Sequence, residues 1–493
     1  MTFKHITELR KNGQLEEAYQ EAKSDFDADK ENIWTRRACA WVLYEFLKRD
    51  LETKQWSDFD CRISEIGKLE LPTDEHLFFD QLAWQIAKRI NTLEDMDNDG
   101  CSRIFKLISG FRFQPSAGYS YLFRTFHKQR GNWSDYINFC DWWNFDKFMP
   151  EDYESFTTEN KQKVMSLAEQ AHIGYANALL CLHDNLRIEA FLPRLENLMS
   201  KHPEYKYPLY FKSKLLLHIG KKQEAFDTLL PFVKTKANDF WVWQILGDAT
   251  SDPNIAFSCY SRALTCPCMP QMLVKIKEQY ATMLLKKGLY SEAKTEILHV
   301  LSTREKNGWR ATEFLQHIQT EDWFGETSEK RSNAELYERF ADDAENAVYT
   351  NSCKEGLVIT SINHEKQTAS FITLHLVSGF FRFKTILKST PKVGETYTAK
   401  FSELKEGRNC QLLSIKKDED KNNWTNNLCH FSGLLKQMQG KPFGIVVGER
   451  QVFVQAQLMK GINDGDNVKG TAVKSFDKHK NKEGWTALTI QSI

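Results

Sequence analysis

No stretch of this 493-residue chain approaches the run of about eighteen apolar residues that a membrane-spanning helix needs. The opening residues Met1-Thr2-Phe3-Lys4-His5-Ile6-Thr7-Glu8 lack the continuous apolar core of a secretory leader, so a cytoplasmic chain with no membrane partner is expected. Cysteine is present but unorganised. The eleven residues are odd in number and scattered, with Cys39, Cys140, Cys181 and Cys259 inside apolar helical patterns. Cys266-Pro267-Cys268 has no second pair at zinc-site spacing, so reduced thiols rather than a metal site are expected. Catalytic motifs are missing too: there is no Walker loop, no His-Glu-x-x-His, no Gly-x-Ser-x-Gly and no carboxylate cluster at metal-ligand spacing. The thirteen histidines are dispersed, and His127, His183 and His218 read as helix-surface or satisfied core residues. The expectation is a non-enzymatic protein with no catalytic residue, no cofactor and no metal.

The chain is too long for one ordinary core, which implies two to four domains. Its formal net charge of zero conceals an asymmetry. Residues 351–417 carry 11 Lys/Arg against 5 Asp/Glu, and residues 429–493 carry 9 against 5, which leaves a deficit of 10 on the remainder. A basic tail on an acidic body is the distribution expected when the tail meets phosphates.

Residues 1–348 show apolar spacings of three and four with recurrent short turns, the pattern of helices. Trp243-Gln244-Ile245-Leu246-Gly247, followed by Ala256, Tyr260, Ala263 and Pro267, has the order of a tetratricopeptide unit: aromatic, Leu-Gly, Ala, aromatic, Ala, Pro. Gly13, Gly220 and Gly288 each open a Gly-x-x-x-Glu-Ala turn, ending at Ala18, Ala225 and Ala293. A tetratricopeptide-like solenoid is therefore expected, with a groove suited to a protein effector. Between these repeats, Trp133, Phe139, Trp142, Trp143, Phe145 and Phe148 form an aromatic stretch, read as seam filling in preference to a binding surface. Asp95 to Gly100 looks like the opening of a calcium loop, but Lys106 stands where the bidentate Glu belongs, so a helix-connecting turn is expected. The scaffold should close with a helix over about 333–348, capped by Ser332 with Glu335 as its capping-box partner.

Beyond residue 350 the period changes from helical to alternating. Two β-rich runs flank the polar turn Asn363-His364-Glu365-Lys366, then come Gly379-Phe380-Phe381-Arg382-Phe383-Lys384, a turn at Val393-Gly394-Glu395-Thr396, and a last run from Cys410 to Ile415. Five short strands over 351–417 suit an OB-type barrel, with Lys366, Phe371, Phe381, Arg382, Phe383 and Lys384 as candidate nucleic-acid contacts. Residues 418–428 are polar and Asn-rich and read as a linker. The second copy, 429–493, is clearer: Gly433-Leu434-Leu435-Lys436, Lys441-Pro442-Phe443-Gly444-Ile445-Val446 and Val452-Phe453-Val454. On adjacent strands Phe443 and Phe453 would point outward as a stacking platform while Val452 and Val454 turn inward. Lys436, Lys441, Lys474, Lys478 and Lys480 would follow the phosphates of single-stranded RNA or DNA.

These motifs make 429–493 resemble the cold-shock domain, whose opening strand and two RNP-like motifs they match. Gln437, Met438, Ile445 and Gln455 stand where that family has aromatics or histidine, which leaves about two stacking residues. Helical repeats followed by two S1/cold-shock-like barrels resemble the proteins of bacterial TOTE-type conflict systems. That resemblance implies an adaptor beside nucleic-acid-processing partners in antiphage defence. An S1-like factor of translation or RNA metabolism is the alternative. The fold class expected is multidomain α + β: an all-α solenoid, then two small OB-type β-barrels.

Overall fold

The computed structural model describes residues 3–94, 97–131, 133–159, 163–349, 352–387, 389–404, 407–418, 424–437, 441–477 and 481–493. The chain divides into two compact units, Met1–Gly220 and Lys221–Ile493.

The first unit is helical, from Phe3–Lys11 to Tyr207–His218, with one two-residue ladder of β1 (Phe156–Thr157) and β2 (Lys163–Val164). Gly13 takes a φ of +79°, which turns the first helix back into the second at a position where a Cβ would be strained. The aromatic stretch is core. Trp133, Phe139, Trp143, Phe145 and Phe148 are all buried. Tyr119 stacks on Trp143 at 4.7 Å, donates its hydroxyl to the Trp143 carbonyl at 2.9 Å and accepts the Trp143 indole N–H at its own carbonyl. His127 lies inside the same core, with Nδ1 2.7 Å from the Tyr136 hydroxyl. Burial, aided by Arg130, pushes its pKa down to about 3. Of the calcium-like segment, Asp95 and Met96 lie outside the described residues. Asp97 caps the helix Asn98–Ile108 by accepting the Gly100 N–H at 2.8 Å, as a connecting turn requires.

The second unit begins with helical hairpins. Phe240–Ala249 and Pro253–Thr265 pack closely because Gly247 faces Tyr260: a Cβ on Gly247 would lie 2.8 Å from the Tyr260 ring. Trp243, Leu246, Tyr260 and Ala263 are buried at this seam. The terminal helix, Ala334–Val348, starts one residue later than expected and lacks the expected capping box. Ser332 Oγ accepts the Ala334 N–H at 3.2 Å. Asn333 instead turns inward, donating to the Glu292 carbonyl (2.9 Å) and to Glu296 Oε1 (2.6 Å). Glu296 also pairs with Lys277 at 2.7 Å and accepts the Tyr337 hydroxyl, so a buried carboxylate holds this helix to two earlier ones, Val274–Lys286 and Tyr290–Lys306. Among the described residues no helix is long and apolar enough to cross a membrane.

Two small β-domains follow. The first contains β3 (Cys353–Asn363), β4 (Thr368–Thr373), β5 (Ser378–Arg382), β6 (Thr396–Glu403) and β7 (Gln411–Lys417), in the order β5-β4-β3-β6-β7. The sheet curls until the free edge of β5 meets residues 407–410, where Phe380 N donates to Arg408 O and Cys410 N to Phe380 O. The second contains β8 (Leu428–Gln437), β9 (Phe443–Gly448), β10 (Gln451–Gln455), β11 (Asn467–Asp477) and β12 (Lys482–Ser492), closed as β10-β12-β11-β8-β9. Each has its own apolar core, centred on Leu357, Phe371, Phe381 and Phe401 in the first and on Leu435, Val446, Val452 and Val454 in the second.

Candidate nucleic-acid interface

Alternation along three antiparallel strands builds the face of the second barrel. In β10, Val452 and Val454 are buried while Gln451, Phe453 and Gln455 face out. In β9, Gly444 and Val446 face in. A Cβ on Gly444 would come within 2.9 Å of the side-chain ends of Leu435 and Met459, so glycine lets this strand close on the core without moving them. Phe443, Ile445 and Val447 therefore share the outer face with Leu434 and Lys436 of β8. The register aligns Lys436, Ile445 and Phe453 in one row and Leu434, Val447 and Gln451 in the next. Phe443 and Phe453 sit diagonally, with ring centroids 5.1 Å apart and planes tilted by 46°. Phe453 is 37% exposed, and the Lys441 ammonium lies 5.6 Å from the centre of the Phe443 ring. Two aromatics, three apolar side chains and two cations thus share one open surface. That composition accepts base faces by stacking and phosphates by charge.

The other expected cations differ. Lys474 pairs with Glu483 at 2.5 Å across the β11–β12 hairpin, so its charge is already matched. Lys478 and Lys480 lie outside the described residues.

The first domain corrects three assignments. Phe371, Phe381 and Phe383 are not platform residues; they are 1%, 2% and 6% exposed and form the core. The outward aromatic is their neighbour Phe380, 38% exposed. Registers explain the difference. Ser370 lies opposite Phe380 and Thr368 opposite Arg382, as Ile445 lies opposite Phe453 and Phe443 opposite Gln455. The first face therefore offers one aromatic beside Thr368, Ser370 and Arg382, where the second offers Phe443, Ile445 and Phe453. Lys366, Arg382 and Lys384 are exposed along it.

Residues 430–490 match the family model for S1/CSD-like domain 2 of the TOTE conflict systems, and residues 349–411 match that for S1/CSD-like domain 1 of the same systems. The tandem is of the TOTE S1/CSD-like type. Residues 206–344 match a domain of unknown function, DUF7017. No curated protein matches the chain.

The two S1/CSD-like domains do not hang on a free tether. Val358 and Ile372 of domain 1 share an apolar cluster with Val473 and Leu488 of domain 2, and Trp424, 1% exposed, is wedged among them. Asn427 ties the same junction by donating to the Leu374 carbonyl and accepting the Lys474 N–H, both at 2.8 Å. By strand register, Val358 and Ile372 correspond to Leu434 and Val447, which domain 2 leaves open at 38% and 39% exposure. Part of the domain 1 face is thus covered by domain 2, while the domain 2 face stays open.

Domain 1 is also bound to the helices before it. Glu345 of the terminal helix is 2% exposed and receives Arg262 Nε at 2.8 Å, Lys400 Nζ at 3.0 Å and Ser414 Oγ at 2.8 Å. Arg262 also donates to the Ala237 carbonyl at 3.0 Å. Burial alone would lower the pKa of this guanidinium; Cys266 and the Glu345 carboxylate hold it above its ordinary value. Lys416 pairs with Asp342 at 2.8 Å, and Lys417 with Glu395 at 2.6 Å. Burial opposes ionisation of Glu395, but Lys417, the Lys392 N–H and the Tyr397 hydroxyl bring its pKa down to about 2. Three of the lysines in the basic 351–417 segment therefore meet protein carboxylates. Nothing in the local sequence signalled these pairings, because their partners lie 22 to 74 residues away in the chain.

Proposed function

We propose that this chain is a non-enzymatic adaptor of a conflict system, holding single-stranded nucleic acid on domain 2 and a protein effector on its helical repeats. The observation that carries the first half is the open pair Phe443 and Phe453, 5.1 Å apart, with Lys441 over one ring and Lys436 in the row beside the other. Stacking accepts any base, so this face supports sequence-tolerant binding. The TOTE family matches support a conflict-system setting, within which the role proposed is defence against phage. The aromatic stretch of the first unit lies in its core, so in this reading the effector meets other surfaces of the helices.

The test is filter binding of the full chain to single strands of about twelve nucleotides, within the span one such barrel covers. Binding should weaken as salt rises, with a slope that shrinks in Lys436→Ala/Lys441→Ala. Absence of binding at low salt would refute the reading. A metal-dependent nuclease assay on the same preparation should show no cleavage; turnover that survives repurification would make the chain an enzyme.

A further inference from the structure

His183 and His218 are 35 positions apart in the chain, yet the fold brings them together. His183 Nδ1 lies 3.2 Å from His218 Nε2, and the rings stack at 4.8 Å with planes 26° apart. His183 is the left-handed C-cap of the helix Leu167–Leu182, with φ 55° and ψ 32°. His218 is the last residue of the helix Tyr207–His218. Two helix C-termini, each carrying partial negative charge from its unpaired carbonyls, thus converge on two imidazole nitrogens.

We propose that His183 and His218 form a clip for a divalent transition metal of the zinc class, one that neither the TOTE matches nor the motif pattern indicates. Zinc binds histidine nitrogen at about 2.0–2.1 Å, and two nitrogens 3.2 Å apart would then subtend about 100–106° at the metal, near the tetrahedral angle. A hydrogen bond between two neutral imidazoles satisfies one nitrogen of each pair. One of the two facing nitrogens carries the proton of that bond; with the proton on the far nitrogen of its ring instead, both facing lone pairs are free for a cation, which sits where the two helix ends favour positive charge. His183 is exposed and the pair opens to solvent, so the remaining positions belong to water or to a ligand brought by a partner. Among the described residues, no group of three or more His, Cys, Asp or Glu side chains is placed to hold a metal ion. The clip therefore supplies two protein ligands, one fewer than a catalytic zinc site and two fewer than a structural one, and water or a partner's side chain must complete the coordination.

Isothermal titration of the untagged full chain with zinc chloride, and separately with nickel chloride, at pH 7.5 tests this. The expected result is saturable binding that falls by roughly tenfold or more in His183→Asn/His218→Gln, since even outer-shell changes weaken metal sites on that scale. Asparagine tolerates the left-handed cap, and His218→Gln alone should show the same loss if the double variant folds poorly. Thermal unfolding should shift upward with metal in the wild-type chain and stay in place in the variants. Titrations that superimpose for wild type and variants, or no wild-type binding at millimolar metal, would overturn the proposal and leave a simple imidazole hydrogen bond.

Discussion

Phe380 and Phe381 are adjacent and chemically identical, yet one faces solvent and the other is 2% exposed. Period-two alternation names the two faces of a strand but not which face is inside, and a one-residue slip exchanges them. In β10 two valines alternate with one ring, so once the valine pair is buried the ring must face outward. In β5 and the residue that follows it, aromatics stand at 380, 381 and 383, so the inward set was not legible. Phe381→Ala should cost about 3–5 kcal/mol in urea unfolding because it empties part of a packed core, while Phe380→Ala should leave the midpoint nearly unchanged. His127 supplies a pH test at the same scale. Its folded pKa of about 3 lies below the ordinary histidine value, so the unfolded chain takes up the proton first as pH falls below about 6.5. Stability is lost progressively between about pH 6.5 and 3, by up to about 1.4 kcal/mol per pH unit from this residue. Urea titrations at pH 7.5 and 4.5 should show a smaller difference in His127→Gln than in wild type.

Among elements, the helices and strands were readable from their periods, and the partners of particular side chains were not. Gly247 with Tyr260 follows from the repeat pattern, since a small residue must stand where two helices touch. Trp424 does not. It stands in a polar, Asn-rich stretch whose composition says linker, and only the junction of Val358, Ile372, Val473 and Leu488 explains its burial. Asn333 is similar: local rules favour the Ser332 capping box, but the buried Glu296 carboxylate needs a donor, and that tertiary demand prevails. Trp424→Ala should destabilise the second unit by about 3–5 kcal/mol in urea unfolding, as removal of a buried indole does. An unchanged midpoint would show that the two S1/CSD-like domains are not coupled through this residue.

Over the whole second unit, charge does two different jobs. The basic surplus of 351–417 read as a footprint for phosphate, but Lys400 and Lys416 face Glu345 and Asp342 of the terminal helix. Two of the eleven cations in that segment thus serve complementarity between domain 1 and the helices it follows. Glu345 is the centre of this contact, with Arg262 and Lys400 on its two oxygens. Glu345→Ala would leave two buried cations unmatched and should cost about 3–5 kcal/mol in the unfolding of this unit. Domain 1 is in this way anchored to the helices and to domain 2, and the open aromatic face belongs to domain 2. The most direct test is fluorescence anisotropy of a labelled single strand with wild type and with Phe443→Ala/Phe453→Ala. Each stacked base contributes about 1–3 kcal/mol, so the double variant should bind about thirtyfold or more weakly with its fold intact. Equal affinity for the two proteins would contradict the account.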